Sequence, residues 1–139
     1  MRDLHNNIHP VGVAVATVSD TTAVASAWVD TQGFNALSFL IAAGTLADAD
    51  ATFTVLVEDA DASDGTGAAA VADSDLLGTE AQAGFTFADD GEARKIGYVG
   101  VKRWVRCTVT PVNNAGSAPI AIIPVLGHPH FAPTPNPPQ

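Results

Sequence analysis

The chain has few aromatic residues, few basic residues and a single cysteine, and each shortage excludes a class of protein. The lone Cys107 excludes an internal disulfide, so stability must come from packing or from partners. Six Lys and Arg against fifteen Asp and Glu give a net charge of −9, which argues against direct contact with nucleic acid or with an anionic membrane surface. No apolar run approaches the roughly 20 residues of a membrane helix, and the opening MRDLH is not of the signal-peptide type. We therefore expect a protein that is made and used without secretion.

The apolar residues are mostly small. Hydrophobic residues make up 47% of the chain, yet aromatic residues make up only 6%. Because Ala and Val supply most of the apolar content, we expect a thin core built from small side chains. A chain of 139 residues corresponds to one domain that buries roughly 68% of its unfolded surface. The sequence contains no internal repeat, and we expect no second domain.

The charged residues are sorted along the chain. All fifteen acidic residues lie between Asp3 and Glu92, and every basic residue except Arg2 lies between Arg94 and Arg106. This separation predicts an anionic body with one cationic strip. Such an arrangement suits binding to another protein surface better than catalysis.

Alternation of apolar residues with others predicts seven short strands. In the clearest case, Phe53, Val55 and Val57 share one face of a strand. Turn formers such as Asp89-Asp90-Gly91 separate these runs. Helices have little support, apart from a turn of helix near residues 74–77. The predicted strands are residues 11–16, 23–29, 36–42, 51–58, 96–99, 104–109 and 120–126.

Short strands with frequent turn formers predict an all-β fold, a β-sandwich that is jelly-roll-like, over residues 11–126. Residues 1–10 lack periodicity and predict an extended N-terminal arm. Residues 127–139 contain five prolines and predict a polyproline-like C-terminal tail. Pro119 and Pro124 interrupt the last predicted strand. We expect that strand at a sheet edge or with a bulge, because proline cannot donate to the ladder.

Two patterns resemble metal sites but fall short of one. The acidic stretch 58–65 (EDADASDG) has Asp64 and Ala70 where an EF-hand calcium loop needs its glycine and its glutamate. The four histidines form two pairs without the Cys or acidic partners of a four-ligand zinc site. The pairs are His5 with His9 and His128 with His130. We expect a solvated loop and two terminal segments with polar contacts, and neither a metal nor a cofactor.

The sequence contains no recognisable catalytic motif. Cys107 alternates with Val105 and Val109, which predicts an inward thiol that acts as a small apolar side chain, and no candidate base accompanies it. Nucleophile elbows, phosphate-binding glycine loops and paired carboxylate motifs are missing. We therefore expect no enzymatic activity. A small hydrolase is a remote alternative that a screen of ester and glycoside substrates would test.

The segment 94–109 (RKIGYVGVKRWVRCTV) carries the densest chemistry. Strand parity that turns Cys107 inward turns Trp104 and Arg106 outward, and Trp beside Arg is a pairing enriched at interface hot spots. Arg103 shares the inward parity, so it must lie at the strand's end with its charged group in solvent. Two interpretations stay open: a contact surface for another protein, or a Trp lid over a second, smaller core with Lys and Arg at its rim.

Four segments resemble small proteins encoded near the major capsid gene of tailed double-stranded DNA bacteriophages. They are MRDLHNNI, VADSDLLGTE, IGYVGVKRWVRCTV and GHPHFAP, and the resemblance runs from Met1 to about Pro133. This group is similar to capsid decoration, or cement, proteins, which are β-sandwich domains that sit on the outer shell and clamp neighbouring capsid subunits. The resemblance implies a structural virion protein without enzymatic activity or cofactor. It would be made in the host cytoplasm and located on the outer capsid surface, where it stabilises the DNA-filled head.

The resemblance also implies partners. We expect the major capsid protein as partner and a homo-oligomer, with a trimer favoured, but no direct contact with nucleic acid or membrane. Both arms would grip adjoining capsid subunits, which raises the effective concentration of the second contact. The predicted contact residues lie in the arm, the cationic strip and the tail: Arg2, Leu4, His5, Ile8, Arg94, Lys95, Lys102, Arg103, Trp104, Arg106, His128, His130 and Phe131.

An alternative function is a receptor- or carbohydrate-binding module of a phage tail or fibre, also on a β-sandwich. Carbohydrate sites typically offer stacked aromatic rings, for which Trp28, Trp104, Tyr98 and six Phe are available. Glycan binding that survives deletion of both arms would favour this alternative. Loss of shell binding on the same deletion would favour the cement function.

Overall fold

The computed structural model describes residues 2–138, and within them twelve β-strands form two antiparallel sheets that pack as a sandwich. Sheet A consists of β1 (Ile8–Pro10), β2 (Ala14–Val18), β5 (Phe34–Ala43), β8 (Leu76–Leu77), β10 (Ala93–Tyr98) and β12 (Ala118–Pro129). Sheet B consists of β3 (Val24–Ala25), β4 (Val29–Asp30), β6 (Thr52–Ala60), β7 (Ala69–Ala70), β9 (Phe85–Thr86) and β11 (Trp104–Val112). The predicted all-β sandwich is confirmed.

The long strands alternate between the two sheets along the chain. In sheet A the order is β2-β12-β5-β10, with β1 beside β12 at the same edge as β2 and β8 beyond β10. In sheet B, β3 and β4 flank β11, which pairs with β6, and β7 and β9 flank β6 on its far side. Each connection from β5 to β6, from β10 to β11 and from β11 to β12 therefore crosses the sandwich. Two six-stranded antiparallel layers whose long strands alternate in this way form a jelly-roll-like sandwich.

The core lies between the sheets and follows the period of two. β6 pairs with β11 along its whole length, from Thr52 opposite Val112 to Ala60 opposite Trp104. This register points Phe53, Val55 and Val57 inward, as predicted from their spacing. The buried residues that face them from sheet A are larger than Val and Ala: Leu37, Phe39, Ile41, Ile96, Ile120, Ile122 and Leu126.

Helical structure in the described residues is short. α1 (Glu80–Ala83) begins after Thr79, whose side chain accepts a hydrogen bond from the Gln82 amide at 3.1 Å. The helical turn predicted near residues 74–77 is a 3₁₀ turn at Asp73–Asp75. Two further 3₁₀ turns cover His5–Asn7 and Phe87–Asp89. Among residues 2–138, no helix has the length and hydropathy needed to cross a membrane.

The prediction that the proline-containing strand lies at a sheet edge or carries a bulge is wrong, because β12 is an inner strand and its register with β5 is unbroken from Ile120 opposite Ala43 to Pro129 opposite Phe34. β12 lies between β5 and the pair β1 and β2. The Pro124 carbonyl accepts from the Val11 amide at 3.0 Å, so the Pro124 nitrogen faces the gap between β1 and β2. The Pro119 carbonyl accepts from the Gly44 amide at 2.9 Å, just beyond the end of β5. Both prolines therefore lie where the missing N–H breaks no ladder bond.

The two ends of the chain pack against the domain and against each other. Residues 8–10 form β1, and β12 continues to Pro129, so both predicted boundaries fall inside sheet A. The Thr134 amide donates to the Asn6 carbonyl at 3.1 Å, and the Thr134 hydroxyl donates to the Ile8 carbonyl at 2.6 Å. Within the described residues, both ends are therefore packed against the domain: residues 8–10 pair with β12, and Thr134 donates to the backbone carbonyls of Asn6 and Ile8.

Candidate interaction surface

The six strands of sheet A contain no carboxylate, although the chain has fifteen. Their only Lys and Arg residues are Arg94 and Lys95. The Arg94 guanidinium is within 2.9 Å of Asp89 and 3.0 Å of Glu92, which lie outside the strands. Sheet A therefore presents a single unpaired charge, Lys95, across its whole width.

The outward residues of sheet A form a surface that we call face A. It consists of Ile8, Pro10, Val15, Thr17, Ala36, Ser38, Leu40, Ala42, Leu77, Ala93, Lys95, Gly97, Pro119, Ala121, Ile123, Val125 and Gly127. Strand pairing places these residues in cross-strand rows. The rows are Val15-Ala121-Ala42-Ala93, Ile123-Leu40-Lys95, Pro10-Val125-Ser38-Gly97-Leu77 and Ile8-Gly127-Ala36.

Face A is apolar and open to solvent. Val15 is 73% exposed, Leu77 is also exposed, and Leu40 in the middle of the sheet is 38% exposed. Ala121 and Ala42, which follow Val15 in the same cross-strand row, have small side chains, so this part of the surface does not protrude. A contiguous apolar face of this kind on a chain of net charge −9 is typical of a protein interaction site.

The signal for face A is present in the sequence. A strand with one solvated face alternates apolar with polar residues, whereas a strand covered on both faces is apolar throughout. Residues 36–42 (ALSFLIA) and 120–126 (IAIIPVL) are of the second type. In β2 the inward residues are Ala14, Ala16 and Val18, so the valine at position 15 is outward. Within the described residues, no second layer covers these runs on their outward side.

The outer face of sheet B has a different character. Its strands β6 and β11 turn four threonines outward, together with Leu56 and the ion pair between Arg106 and Glu58. The threonines are Thr52, Thr54, Thr108 and Thr110. The outer face of sheet B is therefore more polar than face A, although Leu56 and Val112 are exposed on it.

The prediction of one continuous cationic strip is wrong. Arg94 and Lys95 belong to β10 in sheet A, whereas Trp104 and Arg106 belong to β11 in sheet B. The crossing connection after β10 separates residues that are adjacent in the sequence. Arg106 lies 2.7 Å from Glu58, and the Lys102 ammonium lies 3.1 Å from Asp59, so both cations are neutralised locally.

Arg103 lies at the end of β11, as predicted, and is tied to Asp30. Its Nε and terminal nitrogen donate to the two carboxylate oxygens at 2.7 and 2.6 Å. This bidentate pair lowers the pKa of Asp30, with a further contribution from the Gln32 amide. The Arg103 guanidinium also lies 5.2 Å from the Trp104 ring centre. Trp104 is half-buried, and its role as a partner contact stays a prediction.

The predicted contact residues at the chain ends are divided between two places. Leu4, Ile8 and His128 line a groove of about 200 Å³ at one end of face A, beside Val125 and Gly127. His5 lines a second groove with residues 134–138 of the tail.

The remaining terminal residues lie away from both grooves. His130 Nε2 is 3.0 Å from the Asn35 side-chain oxygen, and its amide donates to the Gly33 carbonyl at 2.8 Å. Phe131 is 88% exposed, and Arg2 is also exposed. The structure therefore brings Leu4, Ile8, His128 and Lys95 onto or beside one surface and leaves the other predicted contacts elsewhere.

A polar link that the sequence did not indicate joins the two sheets. The Tyr98 hydroxyl on β10 donates to Asp59 Oδ2 on β6 at 3.0 Å and accepts from the Lys102 amide at 3.0 Å. Burial raises the pKa of Tyr98 to about 12, and the Asp59 charge acts in the same direction. The link fixes β10, and therefore one side of face A, to sheet B.

Cys107 is buried in the core, as predicted from its alternation with Val105. Burial raises the pKa of its thiol to about 12, and the nearby Glu80 charge adds to the shift. A thiol in this state is a poor nucleophile. Within residues 2–138, no group of three or more His, Cys, Asp and Glu side chains is placed to hold a metal ion.

Comparison with known proteins gives weak likenesses only. No family model and no curated protein matches the chain. Among solved structures, the CBM22-1 and GH10 modules of endo-1,4-beta-D-xylanase 10B from Clostridium thermocellum, complexed with xylohexaose, are 9% identical with a TM-score of 0.43, over 95% of this chain and 28% of that one. The enzymatically active domain of bacteriophage CBA120 tailspike protein 4 is 12% identical with a TM-score of 0.43, over 89% and 20%. The C-terminal family 22 carbohydrate-binding module of the same xylanase is 12% identical with a TM-score of 0.42, over 90% and 87%.

The chain thus spans less than a third of the first two of these proteins. Likenesses with such low identity and TM-scores below 0.5 say nothing about what this chain binds.

Proposed function

We propose that this chain is a structural, non-catalytic protein that docks through face A onto a protein shell, as a capsid decoration protein does. The observation that carries the proposal is the carboxylate-free apolar surface of sheet A on a strongly anionic chain. A surface that is apolar and nearly uncharged is stabilised by burial against another protein. The resemblance of residues 1–133 to proteins encoded near phage capsid genes supports the choice of the major capsid protein as the partner.

The distribution of charge supports a docking direction. The acidic residues lie in connections and in sheet B. Because the strands of sheet A contain no carboxylate, docking through these strands buries none. The anionic surfaces would then point to solvent and keep decorated particles apart. Docking through the outer face of sheet B would instead desolvate the ion pair between Arg106 and Glu58, which opposes that orientation.

The test replaces one leucine on each outer face with aspartate. Leu40 on face A and Leu56 on the outer face of sheet B lie in the middle of β5 and β6 and are 38% and 37% exposed. We expect Leu40→Asp to weaken co-sedimentation with expanded shells of the encoding phage at least about tenfold, because docking would desolvate the new carboxylate together with Lys95 opposite it, and a buried ion pair is about 1–4 kcal/mol less favourable than apolar residues of similar volume. Leu56→Asp should bind as the unchanged chain does.

The folded state of both variants is checked by circular dichroism and thermal unfolding. Equal loss of shell binding in the two variants would contradict docking through face A, and so would retained binding of a folded Leu40→Asp variant. Intact virions whose protein content lacks this chain would contradict the capsid assignment itself.

The homo-oligomer, with a trimer favoured, belongs to the same proposal. Sedimentation velocity of the chain alone measures its state before docking. If Leu40→Asp dissociates an oligomer and leaves shell binding unchanged, face A joins copies of this chain and the shell contact lies elsewhere. That result would overturn the docking proposal.

A further inference from the structure

A cavity of about 270 Å³ lies at the side of the sandwich, away from face A. It is enclosed by inward residues at the β1 edge of sheet A and by the segment that connects β3 with β4 in sheet B. Its lining includes His9, Trp28, Asp30, Gln32, Phe34 and Leu126. Three of these residues are aromatic, in a chain that has few aromatic rings.

His9 in this lining has a buried nitrogen without a partner. The residue is 6% exposed, and its Nδ1 makes no hydrogen bond within the described residues. The imidazole stacks on Phe34, with ring centres 5.4 Å apart and planes 20° apart. An unsatisfied buried polar atom is unfavourable, and most such atoms in folded proteins have a partner. Nδ1 itself has almost no accessible surface, so a ligand in the cavity could pair with it only if the imidazole ring turned.

Trp28 forms a wall of the cavity whose position is fixed. The Arg106 guanidinium lies 4.6 Å from the Trp28 ring centre, and Glu58 holds that guanidinium at 2.7 Å. Gly65, at φ +79°, packs so closely on the indole that a Cβ there would overlap the ring. Because Arg106 and Gly65 already hold the Trp28 side chain in place, it loses little conformational entropy when a ligand packs against it.

The cavity has polar groups but little net charge. The Asp30 carboxylate receives two hydrogen bonds from Arg103 and one from the Gln32 amide. Of its roughly four acceptor positions, one remains free for a hydroxyl donor. Because Arg103 neutralises the carboxylate, neither an anionic nor a cationic ligand gains a strong ion pair. A neutral ligand with hydroxyl groups is favoured.

We propose that this cavity binds a single ring of a neutral carbohydrate. The C–H face of a pyranose ring is apolar and packs on aromatic rings such as Trp28, while hydroxyls at the ring's edge can pair with the Asp30 carboxylate and, once the imidazole turns, with the His9 nitrogen. The volume lies near the lower end of the roughly 300–1,000 Å³ found for small-molecule sites, which suits one ring. A purely apolar ring would leave the His9 nitrogen unpaired.

This inference goes beyond shell docking and does not depend on it, because the cavity residues and face A do not overlap. It gives the alternative function predicted from the sequence, carbohydrate binding, a defined site. The sugar could be a free monosaccharide or the terminal residue of a glycan chain. Both present the same ring to the cavity.

The experiment is saturation-transfer NMR on the full chain with methyl glycosides of glucose, galactose, mannose and N-acetylglucosamine, and with cyclohexanol as an apolar ring. We expect transfer to at least one glycoside and weaker transfer to cyclohexanol. Trp28→Ala should weaken that binding at least about tenfold, which corresponds to 1.4 kcal/mol. Phe87→Ala, which removes an exposed aromatic ring outside the cavity, should leave the affinity unchanged.

His9→Phe separates binding from folding. Because the His9 nitrogen is unpaired in the unliganded fold, an aromatic apolar replacement should leave thermal stability unchanged or higher while glycoside binding is lost. Absence of transfer to every glycoside, or full binding by a folded His9→Phe variant, would overturn the proposal. Where a glycoside binds, a trisaccharide ending in the same sugar distinguishes the two sources: tighter binding assigns a glycan chain, and weaker binding assigns the free sugar.

Discussion

Replacing Tyr98 with phenylalanine removes one oxygen from the polar link between the sheets. In the unchanged chain that hydroxyl donates to Asp59 and accepts from the Lys102 amide, both at 3.0 Å. In the variant the buried Asp59 carboxylate loses the hydroxyl donor and keeps its contact with the Lys102 ammonium at 3.1 Å. A hydrogen bond to a charged group contributes about 1.5–3 kcal/mol, so we expect the free energy of unfolding to fall by about 2 kcal/mol.

Urea unfolding followed by tryptophan fluorescence measures this loss. With a slope of about 2 kcal/mol per molar urea, the midpoint should fall by about 1 M while the slope stays the same. A double-mutant cycle with Asp59→Asn assigns the effect to the link, because the double variant should lose less than the sum of the single variants. A loss below about 0.5 kcal/mol, or additive losses in the cycle, would refute a stabilising link.

The alkaline pH dependence gives a second measurement of the same link. The pKa of Tyr98 is raised from 10.0 to about 12 in the folded state, so between these values the unfolded chain binds fewer protons than the folded chain. Stability from Tyr98 is therefore fully present below pH 10 and is lost as the pH rises toward 12. In Tyr98→Phe this part of the fall should disappear. The part that begins near pH 9 should remain, since the pKa of Cys107 is also raised, from 9.0 to about 12.

Two further predictions concern the core and the Trp28 wall. At pH 8 the buried Cys107 thiol should react with Ellman's reagent only as fast as the chain unfolds, and rapid labelling of the folded chain would contradict its burial. Gly65→Ala should lower the free energy of unfolding by about 2 kcal/mol more than Gly67→Ala, as measured by urea unfolding. Both glycines have φ near +75° and share the strain of a Cβ there, but only at Gly65 would the Cβ overlap Trp28. Equal losses in the two variants would mean that Trp28 does not pack on this turn.

The long strands could be predicted from the sequence because each carries its own signal. β6 has Phe53, Val55 and Val57 at alternate positions, and β11 shows its own alternation around Cys107. The strands that escaped prediction, β1, β7, β8 and β9, have two or three residues each and exist because a longer neighbour offers backbone partners. α1 escaped for a similar reason. It is four residues long, and the Glu80 carboxylate anchors it to the Val57 amide at 2.7 Å.

The candidate site could be predicted only in part, because contact across strands is not local in sequence. Leu4, Ile8 and His128 were singled out at opposite ends of the chain, and the structure places them in one groove. Lys95 was predicted to join Arg106, yet a crossing connection puts the two residues on different sheets. The apolar runs of β5 and β12 were recognised as strands. Their outward side is exposed because no third layer packs on sheet A. This can be seen only when the strands have been assigned to the two sheets.

The position of the acidic residues connects the fold to the proposed function. For a jelly roll to fold, each sheet must bury one of its two faces. Both sheets do so in the core between them. Sheet B completes its solvent side with threonines and ion pairs, which make it stable in water without a partner. Face A has only Thr17, Ser38 and Lys95 as polar groups, although Ala42 and Ala121 also point outward, where a polar side chain would not enter the core. An apolar solvent side that folding does not require, kept free of every one of the fifteen carboxylates, is what a surface selected for burial against another protein would look like.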